Sequence, residues 1–183
     1  PRQAYAMFFV ENDITYLPKP IGIELVNGAY ISNRAVIGDN CVILPGAYVG
    51  DEVTIGNNCY IDTGVKLLGK VIIGNDVVIR ANTVIGTDGL TTMRREDGSA
   101  ATIPQFGGVI IEDKVQIGAN TVIARGAIDN TIIHKGSKID NSCFISHNVE
   151  VGPHTFIVGE TIMFGSSTTG EFAYISGNST IRE

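Results

Sequence analysis

A strict six-residue period of aliphatic side chains constrains this 183-residue chain more than any other feature. Glycine, aspartate and asparagine fill many of the positions between them, as in Gly38-Asp39-Asn40. The first run contains eleven members without a miss: Leu25, Ile31, Ile37, Ile43, Val49, Ile55, Ile61, Leu67, Ile73, Ile79 and Ile85. A helix would scatter residues of this spacing around its axis, so the period predicts short strands joined by turns. We therefore predict an all-β hexapeptide-repeat β-helix with these residues pointing inward, whose three-hexad coils stack as parallel strands about 4.8 Å apart.

Two interruptions divide the repeat. After Ile85 the chain makes a polar excursion from Thr87 to Gly108, and we expect this 87–108 loop to be functional because long loops in compact domains are usually functional or disordered. The period resumes at Ile111, breaks for four residues near Asp129-Asn130, and then continues to the end of the chain. The later members are Ile117, Ile123, Ile133, Ile139, Ile145, Val151, Ile157, Met163, Thr169, Ile175 and Ile181.

The repeat also sets the domain boundaries that we predict. Residues 21–183 form a single β-helix domain in this interpretation. Residues 1–20 lie outside the repeat and are interpreted as an N-terminal linker or a cap packed over the first coil. The alternative for this segment is a short apolar helix over residues 4–9 that Pro18-Lys19-Pro20 would end.

Charge and composition argue against several classes of function. The formal net charge of −6 and the pI near 5.0, with no basic stripe, argue against a nucleic-acid-binding protein. The sequence has no run of about 18 apolar residues, so we predict no membrane span. No signal peptide opens the sequence, and we expect a cytoplasmic protein. The cysteines Cys41, Cys59 and Cys143 form neither a metal-type cluster nor a disulfide framework, and we predict that they pack in the core.

One edge of the predicted prism collects polar residues. Counting three faces per coil places Ile85, Ile123, Ile145 and Met163 on the same face. The third position of each of these hexads then lies on a single edge, in the order Thr87, Arg125, His147 and Gly165. The root of the loop, an arginine, a histidine and a glycine are therefore predicted to converge.

This edge has the chemistry of a base-assisted transfer. His147 has an imidazole that can be neutral near pH 7 and accept a proton. Asp140, one hexad earlier, is the candidate to orient the imidazole, as an acid does in a catalytic triad. No serine or cysteine nucleophile lies convincingly beside them, which favours direct attack of an amine or hydroxyl on a thioester. The backbone N–H of Gly165, 18 residues after His147, is the candidate oxyanion donor. A structural histidine at the surface is the alternative for His147.

A metal site is the rival interpretation of this edge. Hexapeptide β-helices of the gamma-class carbonic anhydrases present three histidines to zinc, two of them as His-x-x-x-x-His. Here His134, His147 and His154 are spaced 13 and 7 apart, so that motif is missing. We therefore expect no metal, and we interpret His134 and His154 as surface residues.

Several motifs resemble the core of UDP-3-O-(3-hydroxyacyl)glucosamine N-acyltransferases, the acyl-carrier-protein-dependent enzymes of lipid A biosynthesis. The most specific is Ile145-Ser146-His147-Asn148-Val149 with Ile139-Asp140-Asn141 shortly before it. Ile103-Pro104-Gln105, the stretch Val115 to Thr121, Arg125-Gly126-Ala127 and Asp88-Gly89 are also similar. The resemblance covers roughly residues 20–181. It implies a left-handed parallel β-helix and a homotrimer with active sites between subunits.

The same resemblance assigns roles to individual residues. It implies that His147 is the general base, Asp140 its partner and Gly165 the oxyanion donor. Asn141, Arg125 and Asp88 are the candidate substrate- or donor-binding residues. The co-substrate would be the phosphopantetheine thioester of an acyl-carrier protein or a coenzyme A thioester, with no tightly bound cofactor.

The chain also departs from that family. The resemblance includes neither the family's N-terminal nucleotide-sugar domain nor its C-terminal helical segment, and Leu90 follows Gly89 where the family favours an aromatic residue. The alternatives are an acetyl-CoA-dependent sugar O- or N-acetyltransferase and a non-catalytic β-helix that serves as a trimerisation module. Five basic residues are candidates for a single rim that receives donor phosphates or an acidic carrier protein, and a solvated surface is the alternative. They are Arg94, Arg95, Arg125, Lys135 and Lys138.

Overall fold

The computed structural model describes residues 22–182, and within them the chain forms 24 short strands. In chain order these are β1 Ile23–Val26, β2 Ala29–Ser32, β3 Val36–Ile37, β4 Val42–Ile43, β5 Tyr48–Val49, β6 Val53–Ile55, β7 Tyr60–Ile61, β8 Lys66–Leu67, β9 Val71–Ile73, β10 Val78–Ile79, β11 Val84–Thr87 and β12 Thr92–Arg94. They continue with β13 Ala100–Thr102, β14 Val109–Ile111, β15 Gln116–Ile117, β16 Val122–Ala124, β17 Thr131–Ile133, β18 Lys138–Ile139, β19 Phe144–Ile145, β20 Glu150–Val151, β21 Phe156–Ile157, β22 Ile162–Met163, β23 Tyr174–Ile175 and β24 Thr180–Ile181. No helix in this part of the chain has the length and hydropathy of a membrane span.

Strands of successive coils pair in parallel and build the three faces of a prism. Sheet A has the order β1-β2-β5-β8-β11-β16-β19-β22-β24, sheet B the order β20-β17-β14-β9-β6-β3, and sheet C the order β23-β21-β18-β15-β10-β7-β4. Backbone hydrogen bonds join each coil to the next, as from the N–H of Lys138 to the carbonyl of Thr155 at 2.9 Å. The predicted left-handed parallel β-helix is confirmed. The predicted linker or cap at residues 1–20 lies outside the described residues.

The inward position of the hexads forms a continuous apolar core. Its members from the middle coils are at most 2% exposed: Ile55, Ile61, Leu67, Ile73, Ile79 and Ile85. Cys59 and Cys143 are buried among them and Cys41 packs against the same core, which confirms the predicted place of the cysteines. Burial raises the pKa of Cys59 to about 11, so this thiol stays protonated at neutral pH.

The corners of the prism explain the asparagine content. The second turn residue at many corners adopts a left-handed backbone conformation, with φ of 56° at Asn40, 57° at Asn58, 55° at Asn120 and 59° at Asn148. Asparagine tolerates this conformation better than most residues with a side chain. The polar residues between the aliphatic ones therefore form the turns at the corners of the coil.

The prediction that Leu25 points inward is wrong. β1 and β2 form an antiparallel hairpin, and the side chain of Leu25 is 67% exposed. The two residues between the strands, Asn27 and Gly28, both have positive φ. Asn-Gly is the preferred pair for a tight hairpin turn, and this local turn replaces the first turn of the coil. The inward column begins at Ile31, which packs against the core.

The excursion between β11 and β14 has structure of its own. β12 and β13 pair as an antiparallel hairpin, with Met93 opposite Ala101. After this hairpin the loop returns to the solenoid. In this returning part, Ile103 and Gln105 are 4% and 1% exposed. The N–H of Phe106 donates to the carbonyl of Ala127 at 2.8 Å, which attaches the end of the loop to the segment after β16.

Candidate active site

The predicted face count is confirmed for the strands that carry the site. β11, β16, β19 and β22 are successive neighbours in sheet A, and pairing aligns Ile85, Ile123, Ile145 and Met163 in register. One detail differs, because Thr87 aligns with Ala124 and not with Arg125. The register shifts at a bulge around Gly86, which has a φ of 86°. The bulge starts the departure of the loop from the coil.

His147 lies between two glycines that come from different parts of the chain. A methyl group added at Gly165 would lie 2.5 Å from Cε1 and 2.7 Å from Nε2 of His147. A methyl group added at Gly89 would lie 2.9 Å from Cδ2 of the same ring. Real carbon contacts are longer than these distances, so both positions need glycine for the imidazole to fit. Gly165 belongs to the next coil of the solenoid, whereas Gly89 belongs to the 87–108 loop.

The backbone N–H of Gly165 is available as a hydrogen-bond donor. It donates to no acceptor within residues 22–182. At several other corners the equivalent N–H donates to a side chain of the next coil, as at Ala119, which donates to Asn141 Oδ1 at 2.7 Å. A proton acceptor and a free backbone donor therefore lie side by side at the His147 edge. This pair can remove a proton from a nucleophile and stabilise an oxyanion.

Arg125 and Asp88 are brought together by the root of the loop. Arg125 is 9% exposed, and its Nε donates to Asp88 Oδ1 at 2.6 Å, while Nη2 contacts the same oxygen. A methyl group at Gly69, two coils earlier in the solenoid, would lie 2.7 Å from Nη1 of Arg125. The ion pair fixes the residue before Gly89 and thereby holds the loop against His147. The predicted donor-binding roles of Arg125 and Asp88 stay predictions.

Asp140 and Asn141 lie at a different corner of the prism in the same subunit. They follow β18 of sheet C, whereas His147 follows β19 of sheet A. Asp140 Oδ1 accepts hydrogen bonds from the N–H and the Nδ2 of Asn141, and Oδ2 accepts from the N–H of Gly159 at 3.1 Å. One hexad is one face, so a spacing of one hexad moves a turn residue to the next corner. Asp140 as the partner of His147 therefore stays a prediction that needs a second subunit.

A groove on the outer face of sheet C runs beside Asp140 and Asn141. Its walls include both apolar and charged side chains: Arg80, Lys138, Phe156, Val158 and Tyr174. Nζ of Lys138 donates to the carbonyl of Lys114 at 2.8 Å, and burial lowers the pKa of this lysine. These residues give the Asp140 corner a surface on which another molecule can pack.

The five basic residues do not form one rim within a subunit. Arg94 belongs to the β12–β13 hairpin and its Nη1 donates to the carbonyl of Gly98 at 2.8 Å. Arg125 lies at the His147 edge, Lys135 follows β17 of sheet B, and Lys138 is in β18 of sheet C. The sequence distance between these residues is small, but the coil sends them to different faces.

The other two histidines have partners away from His147. His134 Nδ1 is 3.1 Å from Glu112 Oε1, and its Nε2 is 2.8 Å from Glu150 Oε1. The ring of His154 is exposed and stacks on Phe172 with a centroid separation of 5.4 Å. In the part of the chain that the structure describes, no three His, Cys, Asp or Glu side chains converge as a candidate metal site.

Two residues in contact with His147 received no role from the sequence. Gly89 forms one wall of the imidazole pocket, and Asn148 Oδ1 is 3.3 Å from Nδ1 of His147. Gly89 belongs to the motif Asp88-Gly89, and Asn148 belongs to the motif His147-Asn148-Val149. The position of Asn148 next to His147 was the sequence signal for this residue, but its hydrogen bond to the imidazole depends on the rotation of its side chain.

Comparisons with known proteins agree with the fold and the motifs. A family model described as bacterial transferase hexapeptide (six repeats) matches residues 52–87, and one described as hexapeptide repeat of succinyl-transferase matches residues 28–65 and 98–125. The solved structure of a UDP-N-acetylglucosamine acyltransferase from Campylobacter jejuni matches with a TM-score of 0.69 at 23% identity, covering 86% of this chain and 66% of that one. At this level of identity the similarity concerns the fold.

Curated relatives are similar in sequence over about half of the chain. The UDP-3-O-acylglucosamine N-acyltransferase of Pseudoalteromonas translucida is 53% identical over 90 residues, which cover 49% of this chain and 26% of that protein. The enzyme of the same name from Hahella chejuensis is 46% identical over 100 residues, covering 55% of this chain and 28% of that protein. The chain thus matches only about a quarter of the length of these relatives. The predicted resemblance is confirmed: this chain is a hexapeptide-repeat left-handed β-helix similar in sequence to UDP-3-O-acylglucosamine N-acyltransferases.

Proposed function

We propose that this chain is the catalytic β-helix of an N-acyltransferase that moves an acyl group from a thioester to the amine of a nucleotide-linked amino sugar, as in lipid A biosynthesis. The observation that carries the proposal is the imidazole of His147 beside the free N–H of Gly165. The names of the curated relatives support the amino-sugar acceptor and N-acylation. The donor, an acyl-carrier protein or coenzyme A thioester, rests on the sequence resemblance.

The proposed reaction uses one base and one oxyanion donor. The neutral imidazole of His147 accepts a proton from the sugar amine as the amine nitrogen attacks the thioester carbonyl carbon. The carbonyl oxygen becomes an oxyanion that the N–H of Gly165 stabilises. The C–N bond is then complete, the C–S bond breaks, and the imidazolium returns its proton to the leaving thiolate. The products are an amide and a free thiol, and His147 ends in its starting state.

The remaining predicted residues enter the proposal through a homotrimer. Asp140 and His147 follow consecutive strands, β18 and β19, of nearly the same coil. In a three-fold assembly whose axis is parallel to the solenoid, residues at the same height of neighbouring subunits face each other. Asp140 and Asn141 of the partner subunit would then border the cleft at His147. The side chains of Phe156 and Tyr174, in the groove beside Asp140, are 50% and 69% exposed. This exposed aromatic surface supports a contact with a neighbouring subunit.

A direct test replaces the base. His147→Ala should lower turnover at least about 100-fold, the usual size of a general-base contribution, while the melting temperature and the oligomeric state persist. His154→Asn is the matched control, since His154 is an exposed histidine whose left-handed φ of 54° asparagine tolerates. Near-normal turnover of a correctly assembled His147→Ala protein would reject the proposal.

The acceptor and the donor are settled by the same assay. Amine and hydroxyl sugars offered side by side, with acyl-carrier-protein and coenzyme A thioesters, should give an amide product on the amine. Ester formation from acetyl-CoA would favour a sugar O-acetyltransferase. Failure to consume any thioester, in a protein whose assembly is intact, would favour the non-catalytic trimerisation module. The cytoplasmic location stays a prediction.

A further inference from the structure

The side-chain amide of Asn148 connects His147 to the irregular segment that interrupts the repeat after β16. Its Oδ1 accepts a hydrogen bond from the N–H of Ala127 at 3.2 Å. Its Nδ2 donates to the carbonyl of Asp129 at 3.3 Å. The same Oδ1 is 3.3 Å from Nδ1 of His147. The four-residue break in the hexad period therefore supplies two backbone groups that hold one side chain.

These two backbone groups determine which way the amide points. An N–H requires an acceptor opposite it, and a carbonyl requires a donor, so Ala127 and Asp129 together assign the oxygen and the nitrogen of the Asn148 amide. A rotation of the amide by half a turn would place two donors against each other and two acceptors against each other. The atom that faces His147 Nδ1 is consequently an acceptor.

The backbone of Asn148 is fixed as firmly as its amide. Its φ of 59° is the left-handed conformation of a corner residue. Its N–H donates to Thr131 Oγ1 at 2.9 Å, and that hydroxyl donates to the carbonyl of Ala124 at 2.8 Å. Thr131 is fully buried. The amide that meets the imidazole is thus attached to the core through a short chain of hydrogen bonds.

We infer that Asn148 is a positioning residue that fixes the tautomer of His147. An acceptor at Nδ1 requires Nδ1 to carry the hydrogen, so the lone pair of the neutral ring is at Nε2. Nε2 is the ring nitrogen nearer to Gly165, since a methyl group added there would lie 2.7 Å from Nε2 and 3.1 Å from Nδ1. The lone pair of the neutral ring and the backbone of Gly165 are therefore close to each other. The inference rests on the proposed function only for the catalytic use of Nε2.

This arrangement sets the tautomer within a single subunit. Since Nδ1 is engaged by Asn148, Asp140 of the partner subunit is not needed to orient the imidazole. The four residues that break the period, Ala127 to Asn130, are in this view part of the active site, although they do not touch the reacting atoms.

The test measures the tautomer and the rate on the same variants. Asn148→Gly removes the amide and keeps a residue that adopts positive φ easily. Asn148→Asp retains an oxygen that accepts from both Nδ1 and Ala127, although it loses the donor to the carbonyl of Asp129. Asn120→Gly is the matched control, because Asn120 is an exposed corner residue with a φ of 55°. All four proteins, including the unmodified chain, are labelled with ¹⁵N-histidine and examined by NMR at about pH 8.5, where imidazoles of ordinary pKa are neutral.

We expect the unmodified chain, Asn148→Asp and Asn120→Gly to show the Nδ1–H form of His147, and Asn148→Gly to shift toward the Nε2–H form. The kcat of Asn148→Gly should fall at least about tenfold with less than about a twofold change in KM, as for the loss of a partner that orients a functional imidazole. Asn148→Asp should regain most of that loss. An unchanged tautomer in Asn148→Gly overturns the inference. Full activity of His147→Ala would overturn the proposed function and leave the tautomer assignment standing.

Discussion

Replacing Gly165 by alanine should displace the imidazole of His147 and little else. The new methyl carbon would lie 2.5 Å from Cε1 and 2.7 Å from Nε2 of the ring. Ordinary contacts between such atoms are about 3.5–4.0 Å, so the ring has to move by roughly 1 Å. The backbone itself accepts alanine, because the φ of Gly165 is not in the left-handed region. The substitution therefore acts on the position of the base.

The size of the effect follows from the geometry of transfer. A displacement of about 1 Å at a reacting group can cost roughly 100-fold in rate, and we expect that loss in kcat for Gly165→Ala. The free energy of unfolding should change by less than about 1.5 kcal/mol, since a half-buried ring can yield toward the solvent. The expected result is an enzyme that folds normally and turns over slowly.

The assay compares Gly165→Ala with Gly170→Ala by steady-state turnover and thermal unfolding. Gly170 is a suitable control because a methyl group added there meets no atom within 4 Å and its φ is also outside the left-handed region. Gly170→Ala should retain the kcat of the unmodified chain. If Gly165→Ala also retains it, the imidazole is not the base or its position is not critical, and the reasoning fails.

Two further predictions concern the solenoid and its assembly. Burial lowers the pKa of His134, but hydrogen bonds to Glu150 and Glu112 outweigh burial, and the net pKa is raised. The protonated imidazole therefore stabilises the fold fully below about pH 6.5, and this stabilisation is lost as the pH rises through the raised pKa. Both carboxylates are half-exposed, so the ion pairs are weak. His134→Gln should lower the free energy of unfolding by roughly 1 kcal/mol at pH 5.5 and by close to none at pH 8.5, as measured by denaturant titration. An equal loss at both pH values would contradict the ion pairs. If the active site joins two subunits, a co-refolded equal mixture of inactive His147→Ala and Asp140→Ala chains should recover about a quarter of the sites, because a site then needs one subunit of each kind in the right order. Recovery of no activity from mixed trimers would show that a site does not combine His147 and Asp140 from two subunits.

Much of this molecule is readable from the spacing of its residues. In a coil of hexads, a residue's position in the repeat decides whether it points inward and which face it occupies. The alignment of Ile145 with Met163, and with it the meeting of His147 and Gly165, therefore followed from counting alone. The same logic failed at Leu25, where Asn27-Gly28 forms a hairpin turn whose local preference overrides the period.

The contacts that complete the site depended on the tertiary structure. Gly89 reaches His147 only because the 87–108 loop folds back, and no period relates these two positions. Asn148 is adjacent to His147 in the sequence, yet its role depends on Ala127 and Asp129, which the break in the repeat places opposite its amide. Asp140 is also close to His147 in the sequence, but a spacing of about one hexad places it at another corner of the prism. A repeat determines the direction of each side chain along the coil, whereas loops and insertions obey no repeat and take their positions from the surfaces on which they pack.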